Sequence, residues 1–482
     1  MPDQPSPSDL HAILQRPLAD LPDPLPIVPP TRPRGRPPAD ITVRPPGSKS
    51  LTNRALLLAA LADGVTTLRR PLLEADDAER MLAAIETLGA QVERLPPSEP
   101  RASARAVADD ACNLRITGVA GRWPVGPEGV TIDVHGAGTA ARFLAAAALL
   151  ATGPVTITGN ARMKQRPIAE LADALRALGA TVEHLESPDC PPVRITPPPG
   201  NIPTNASVAL GNTQSSQFIS ALLLVGGFLP SGLALQLARP ITSESYVRMT
   251  LDLLASLECP ARTAADLSVI QVTHAPRAFD LEIEPDASGA TYFWAAGALL
   301  NDATVRVEGL AGESLQGDAK FIDELERMGA TIATRDTIVT CRAPDGLRPT
   351  MTSLHDMPDA AMTLAVCAAF APGASVFRGV RTLRVKETDR IAALVNELAK
   401  VGVTVEPDLN GDPDAISITP PPRGIDTAPD APRVEFDTYD DHRMAMSLAL
   451  LGLRRPNVWI RDPACVAKTY PGFWQDLARL YE

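Results

Sequence analysis

Apolar residues recur at spacings of three and four through five stretches of the chain, 78–88, 167–178, 246–257, 319–328 and 389–401. That period predicts five amphipathic helices. Each stretch runs into a short turn: Leu88-Gly-Ala-Gln-Val92, Leu178-Gly-Ala-Thr-Val182, Met328-Gly-Ala-Thr-Ile332 and Val401-Gly-Val-Thr-Val405, with a degenerate copy at Leu257-Glu-Cys-Pro-Ala261. Glycine just past a helix supplies the left-handed position that ends it. Alternating residues then predict a strand, and second strands follow at 114–117, 193–196, 269–272, 337–340 and 416–419. The unit of helix, turn and two strands recurs roughly every 75 residues, too long for an ordinary solenoid. Each copy is an α+β module with a helical face and a sheet face to bury. Two groups of such modules would fill the chain, and ligand sites favour the cleft between domains. The longest apolar runs, 143–151 and 218–229, are too short to cross a bilayer.

Composition narrows the function. Hydrophobic residues make up 45 % of 482, enough for sizeable cores, and 45 basic against 57 acidic residues give a net charge of −12. An acidic chain is a poor nucleic-acid binder. No basic segment precedes an apolar one at the N-terminus, so a cytoplasmic location is expected. The cysteines at 112, 190, 259, 341, 367 and 465 form no C-x-x-C pair and have no histidine at zinc spacing, which predicts reduced thiols and no metal site. Residues 1–38 hold twelve prolines and are expected to be a disordered tail whose removal leaves turnover unchanged. Pro-rich stretches at 96–100, 197–203 and 420–432 are expected to be surface loops. Only 6 of the 45 basic residues are Lys, and four of these, Lys49, Lys164, Lys386 and Lys468, fall in the motifs below.

Several motifs sit where helices should begin. Pro46-Gly-Ser-Lys-Ser-Leu-Thr-Asn-Arg54 combines a tight turn, hydroxyls and two cations, compatible with an anion site or with a capped turn. Gly136-Ala-Gly-Thr-Ala-Ala-Arg142 opens an Ala-rich helix and permits close backbone approach or close packing. Arg162-Met-Lys-Gln-Arg-Pro-Ile168 places three cations before a helix start, where acids are usual, and so suggests a bound anion. Gln214-Ser-Ser-Gln-Phe218 offers uncharged donors, and Ser243 and Tyr246 occupy a similar position. Asp356-Met-Pro-Asp-Ala-Ala-Met362 and Arg384-Val-Lys-Glu-Thr-Asp-Arg390 bring acids and cations that are either solvated pairs or an acid/base set. Tyr439-Asp-Asp-His-Arg-Met-Ala-Met446 and Ala467-Lys-Thr-Tyr-Pro471 complete the series; His442 alone is more often structural. Together these cations point to small, multiply anionic substrates.

Taken in order, with Leu315-Gln-Gly-Asp318 among them, these motifs closely resemble the 5-enolpyruvylshikimate-3-phosphate (EPSP) synthase family over residues 40–482. The resemblance implies the two-domain α+β (α/β repeat) enolpyruvyl-transferase fold. Each domain would contain three βαβαββ-type units, the sixth assembled from terminal segments, with the active site in the interdomain cleft. The expected domains are 48–284, inserted, and 39–47 with 285–482. It implies that phosphoenolpyruvate gives its enolpyruvyl group to the 5-hydroxyl of shikimate 3-phosphate, releasing phosphate through a tetrahedral ketal phosphate, late on the route to chorismate. No cofactor is implied, nor any partner beyond the two small substrates, and a monomer is expected.

By similarity, Asp359 is the base at the 5-hydroxyl, Glu387 the proton donor to the methylene, and Lys386 and Lys49 assist. Lys49, Ser50, Arg54, Ser215, Ser216, Gln217, Ser243, Tyr246, Asp359, Thr382 and Lys386 would bind shikimate 3-phosphate. Lys49, Gly138, Arg166, Gln217, Arg390, Arg443 and Lys468 would bind phosphoenolpyruvate. The chain departs from the family pattern at Gly136, where Asn is usual, at Phe143, where Pro is frequent, and at Thr382, where Asn is expected. These changes predict a shifted response to glyphosate, which occupies the phosphoenolpyruvate site in the family. The alternatives are a UDP-N-acetylglucosamine enolpyruvyl transferase, whose loop Cys is missing from 163–166, and a non-catalytic ligand-binding homologue.

Overall fold

A computed structural model describes residues 4–30, 39–96, 113–200, 206–211, 213–310 and 314–482. The chain divides into two units, one of residues 1–46 and 285–482, the other of residues 47–284. The second holds three four-stranded sheets. In the middle one, Val130–Asp133 and Val155–Thr158 are parallel, and Val193–Thr196 and Thr181–His184 continue the sheet antiparallel. Helices Gly138–Ala147 and Ala169–Ala177 fall between the strands, giving the βαβαββ order. The predicted helix, turn and strand pairs are these second helices and their antiparallel strands.

In the first sheet of this unit the leading parallel strand is Asp280–Glu282, beside Val65–Arg69. In the other unit Ala39–Val43 plays the same part beside Ala303–Glu308. The discontinuous unit therefore takes its leading strand from ahead of the inserted segment, and the inserted unit takes its own from the end of that segment. The sixth sheet has three strands: Val434–Phe436 and Val458–Ile460 are parallel, and Leu25–Ile27 joins antiparallel.

That last strand corrects the expectation of a disordered tail. Residues 4–30 are ordered: Pro7–Leu14 is a helix capped by Ser6, and Leu10, Leu14, Leu25 and Ile27 are fully buried. Tyr481 Oη donates to the Val28 carbonyl at 2.7 Å, Gln475 Nε2 to the Arg16 carbonyl at 2.8 Å, and His11 Nδ1 lies 3.0 Å from the Ala478 oxygen. Four buried aliphatic side chains outweigh the Pro-rich composition. The rest of that expectation, residues 1–3 and 31–38, lies outside the described residues, as do Cys112 and residues 97–100 and 201–203 of the two Pro-rich loops. Residues 420–432 carry no helix or strand. The five described cysteines are free thiols. No helix among the described residues is long and apolar enough to cross a membrane.

Each unit has three apolar helices at its core. In one they are Lys49–Leu61, Gly138–Ala147 and Ser216–Gly226; in the other Ala287–Leu299, Ala361–Ala369 and His442–Ala449. Every residue of the latter three is buried; Ala287–Leu299 and Ala361–Ala369 are apolar nearly all round, while His442–Ala449 also buries His442 and Arg443 in its first turn. A helix core cannot carry polar chemistry, so polar residues collect where these helices start. Side-chain caps fix four of the starts. Ser48 accepts from the Leu51 N–H, Ser215 from Gln217, Asp286 from Ser288 and Asp441 from Arg443.

Candidate active site

In the unit of residues 47–284 the motifs meet at these helix starts. Lys49 Nζ lies 3.3 Å from Asp77 Oδ2, a carboxylate only 2 % exposed. Arg54, one turn on, is buried and donates through Nε to Thr250 Oγ1 (2.8 Å), through Nη1 to the Ser50 carbonyl (2.8 Å) and through Nη2 to Ser220 Oγ (3.2 Å) and the Tyr246 carbonyl (3.1 Å). Burial lowers its guanidinium to about 10. The ring of Phe143, the departure from the family pattern, is buried 5.4 Å beneath that guanidinium. Ser243 adopts a left-handed φ of 48° ahead of the helix Glu244–Ser256 that carries Tyr246.

Gln217 Nε2 donates to Thr139 Oγ1 at 3.2 Å and ties the second helix start to the third. Arg166 lies directly over Gly138: a Cβ placed there would meet Nη1 at 2.5 Å and Cζ at 2.7 Å. The three cations of 162–166 have different surroundings. Lys164 pairs with Glu186 at 2.7 Å and Arg162 reaches Gln165 at 3.5 Å, while Arg166 turns to the glycine. Ser48 and Ser215 serve as caps, and Ser50, Ser216 and Gln217 follow them in the first turns.

In the other unit Arg390 is the hub. It is 1 % exposed and donates through Nε to Asp441 Oδ2, through Nη1 to Asp359 Oδ1 and through Nη2 to Glu387 Oε2, each at 2.8 Å. Asp359 also faces Arg443 Nη2 at 3.2 Å and Lys386 Nζ at 3.4 Å. Lys468 Nζ stands 3.5 Å from Glu387 Oε1. Burial disfavours a charged Asp359, but Arg443, Lys386 and Arg390 together overcome it and hold the carboxyl well below the usual range. Their carboxylate partners raise Arg390 above its ordinary value despite burial. Six of the expected residues, Asp359, Lys386, Glu387, Arg390, Arg443 and Lys468, thus form one cluster.

Neighbouring charges in the same motifs go elsewhere. Arg384 pairs with Asp408 at 2.7 Å, Asp356 with Lys320 at 2.8 Å, and Asp389 caps the helix Arg390–Ala399. Thr382 sits on the turn Arg381–Val385, and its buried hydroxyl has no hydrogen-bond partner among the described residues. Sequence reasoning missed Asp77, Thr139, Ser288 and Asp441, and gave Asp318 no role. Asp318, behind Asp359, accepts a hydrogen bond from Ser288. No group of His, Cys, Asp and Glu among the described residues is arranged to hold a metal.

The model of EPSP synthase (3-phosphoshikimate 1-carboxyvinyltransferase) matches residues 34–477. The chain belongs to the EPSP synthase family. Curated relatives named 3-phosphoshikimate 1-carboxyvinyltransferase include those of Erwinia tasmaniensis, 40 % identical over 92 % of this chain and 96 % of the relative, and Laribacter hongkongensis, 40 % identical over 91 % and 96 %. The structure of EPSP synthase from Acinetobacter baumannii shares the fold, with TM-score 0.71 and 24 % identity over 93 % of this chain and 96 % of that one. The enolpyruvyl transferase NikO from Streptomyces tendae shares it too, at TM-score 0.66 and 18 % identity over 92 % and 96 %. As an EPSP synthase family member the chain is an enzyme that transfers an enolpyruvyl group in the shikimate pathway. These likenesses do not favour either alternative, the UDP-sugar enzyme or a non-catalytic binder.

Proposed function

We propose that the enzyme joins the enolpyruvyl group of phosphoenolpyruvate to the 5-hydroxyl of shikimate 3-phosphate, with Asp359 as base and Glu387 as acid. In the addition, the 5-oxygen bonds to C2 as its proton passes to Asp359, while C3 takes a proton from Glu387. In the elimination, Glu387 takes back a proton from the C3 methyl, the C2–C3 double bond re-forms, the bond from C2 to the phosphate oxygen breaks and phosphate departs. Arg390, Arg443, Lys468 and Arg166, with Lys49 and Gln217, would hold the donor's carboxylate and phosphate, and Gly138 leaves Arg166 its space. Ser215, Ser216, Ser243, Tyr246, Ser50 and Lys386 would hold the acceptor. Arg54 contributes by fixing the Tyr246 helix against the Lys49 helix, and Thr382 offers its hydroxyl nearby in sequence.

One observation carries this reading: Arg390 bonds to Asp359, Glu387 and Asp441 at once. With three cations around it, Asp359 is a weak base. An anionic donor that draws on Arg390 and Arg443 would loosen their hold and raise its proton affinity. Base strength then grows when the donor is bound. The test is phosphate release from phosphoenolpyruvate with shikimate 3-phosphate or UDP-N-acetylglucosamine as acceptor, expected with the first alone. Asp359→Asn should lower kcat by roughly 10³-fold with an unchanged circular dichroism spectrum. Wild-type turnover in that variant would remove Asp359 as the base.

A further inference from the structure

Asp318 is a buried carboxyl that the proposed reaction does not use. It belongs to the turn Gly317–Lys320, which packs against helix Ala287–Leu299 and against the turn Pro358–Ala360 that carries Asp359. Its residue is 5 % exposed. Oδ2 accepts from Ser288 Oγ, and Oδ1 is buried with no hydrogen-bond partner among the described residues. A buried ionised carboxylate normally keeps a cation to itself. Of the charged groups facing Asp318, Asp359 and Asp286 repel it, and Arg443 is already 3.2 Å from Asp359. Tyr292, on the helix that supplies Ser288, is a buried neutral phenol. Lys320, on the same turn, pairs outward with Asp356. Burial first and the charge of Asp359 next push the Asp318 carboxyl up to about 7, against the opposing pull of Arg443 and Ser288.

We propose that Asp318 is a positioning residue that sets how strongly the Arg443 side of the site holds phosphoenolpyruvate. Neutral, it leaves Arg443 to Asp359 and the donor; ionised, it adds a negative charge beside both and weakens donor binding. The idea rests on the assignment of Arg443 to the donor in the proposed function. It gives the enzyme a donor affinity that falls as pH rises through neutrality.

The experiment is the pH dependence of KM for phosphoenolpyruvate in the wild-type enzyme, Asp318→Asn and Ser288→Ala, from about pH 6 to about pH 9. In the wild type KM should rise roughly tenfold over this range, the effect of one charge several ångströms from an anion at an effective dielectric near that of protein surfaces. Asp318→Asn keeps an acceptor for Ser288 and cannot ionise, so the rise should vanish. Ser288→Ala removes a bond that favours the ionised form, so the rise should move to higher pH. Ionisation of the substrate is common to all three enzymes and cancels in the comparison. The same alkaline rise in all three would overturn the proposal. If Asp318→Asn fails to fold, Ser288→Ala decides: a displaced rise supports the role and an unmoved one refutes it. A wild-type enzyme that releases no phosphate at any pH would instead strike down the functional reading, and this proposal with it.

Discussion

Gly138→Ala separates binding from folding more cleanly than any other change in the cluster of residues 47–284. The new Cβ would stand 2.5 Å from Arg166 Nη1 and 2.7 Å from its Cζ. Ordinary contact needs about 3.4 Å or more, so the guanidinium must retreat on the order of 1 Å. Arg166 ends in a flexible, half-buried side chain and can make that move. The backbone at 138 is the first helical residue, where Ala is preferred over Gly by up to about 1 kcal/mol. The melting temperature should therefore stay the same or rise slightly. If Arg166 takes a donor oxygen, a displaced charge-assisted hydrogen bond costs about 1.5–3 kcal/mol. KM for phosphoenolpyruvate should then rise roughly ten- to a hundredfold, and kcat should fall because the donor is misplaced. KM for shikimate 3-phosphate should move less than about threefold, since its proposed ligands are elsewhere. Steady-state kinetics with each substrate varied in turn, beside a thermal melt, give all these numbers. An unaltered KM for phosphoenolpyruvate would refute the placement of the donor's charge at Arg166. An equal rise for both substrates would point to a disturbed fold instead.

Other changes should be equally legible. Removing residues 1–30 uncovers the pocket of Leu10, Leu14, Leu25 and Ile27, each worth about 1.5–3 kcal/mol, and strips one edge of Val458–Ile460, the strand that feeds the turn bearing Lys468. A large drop in melting temperature and in turnover is expected, contrary to a passive tail; an unchanged melt would restore that view. Arg390→Met leaves the buried Asp441 and the partly exposed Asp359 and Glu387 without their shared partner and should cost about 3–5 kcal/mol in denaturant unfolding as well as nearly all activity. Asp318, held neutral in the folded enzyme up to about 7, should make the wild type lose stability as pH rises from near its unfolded value of 3.8 through that point. Asp318→Asn should flatten this loss, read as the difference in unfolding free energy between about pH 5 and about pH 8. Asp359 works in the opposite sense: its stabilisation is present above the ordinary carboxylate range and disappears on strong acidification.

How far the sequence could be read depended on whether a feature has a period. The helix, turn and strand units were visible because an amphipathic face repeats and the turn needs a glycine. Gly89, Gly179, Gly329 and Gly402 take φ values of 108°, 94°, 103° and 80°. The sixth sheet left no such trace, because Leu25–Ile27 finds its partner at the far end of the chain. The ordered N-terminal segment was hidden by its prolines; what decides it is the burial of Leu10, Leu14, Leu25 and Ile27, which has no local signature. Motif strings located the cations and the carboxylates Asp359 and Glu387, yet did not show that Arg384 and Lys386, two residues apart, meet different partners. Asp77, Asp318 and Asp441 went unassigned because a side-chain contact across folded elements follows no spacing rule. Asp441 was visible only as the residue before His442, in the place where a helix cap belongs.

The crossing strands impose an order on the making of the enzyme. Residues 39–43 leave the ribosome before the whole of 47–284, yet their parallel neighbour, 303–308, comes after it. At about 5–20 residues per second, that first strand waits tens of seconds with an open edge while the inserted unit is completed by its own closing strand at 280–282. Residues 25–27 wait longer still, for 458–460. A half-made chain thus carries two unpaired strands at its beginning. The prolines at 26, 29, 30, 37 and 38 flank or interrupt them, where a residue without an amide hydrogen discourages pairing with another nascent chain. The strands that are made first are thus among the last to find their partners.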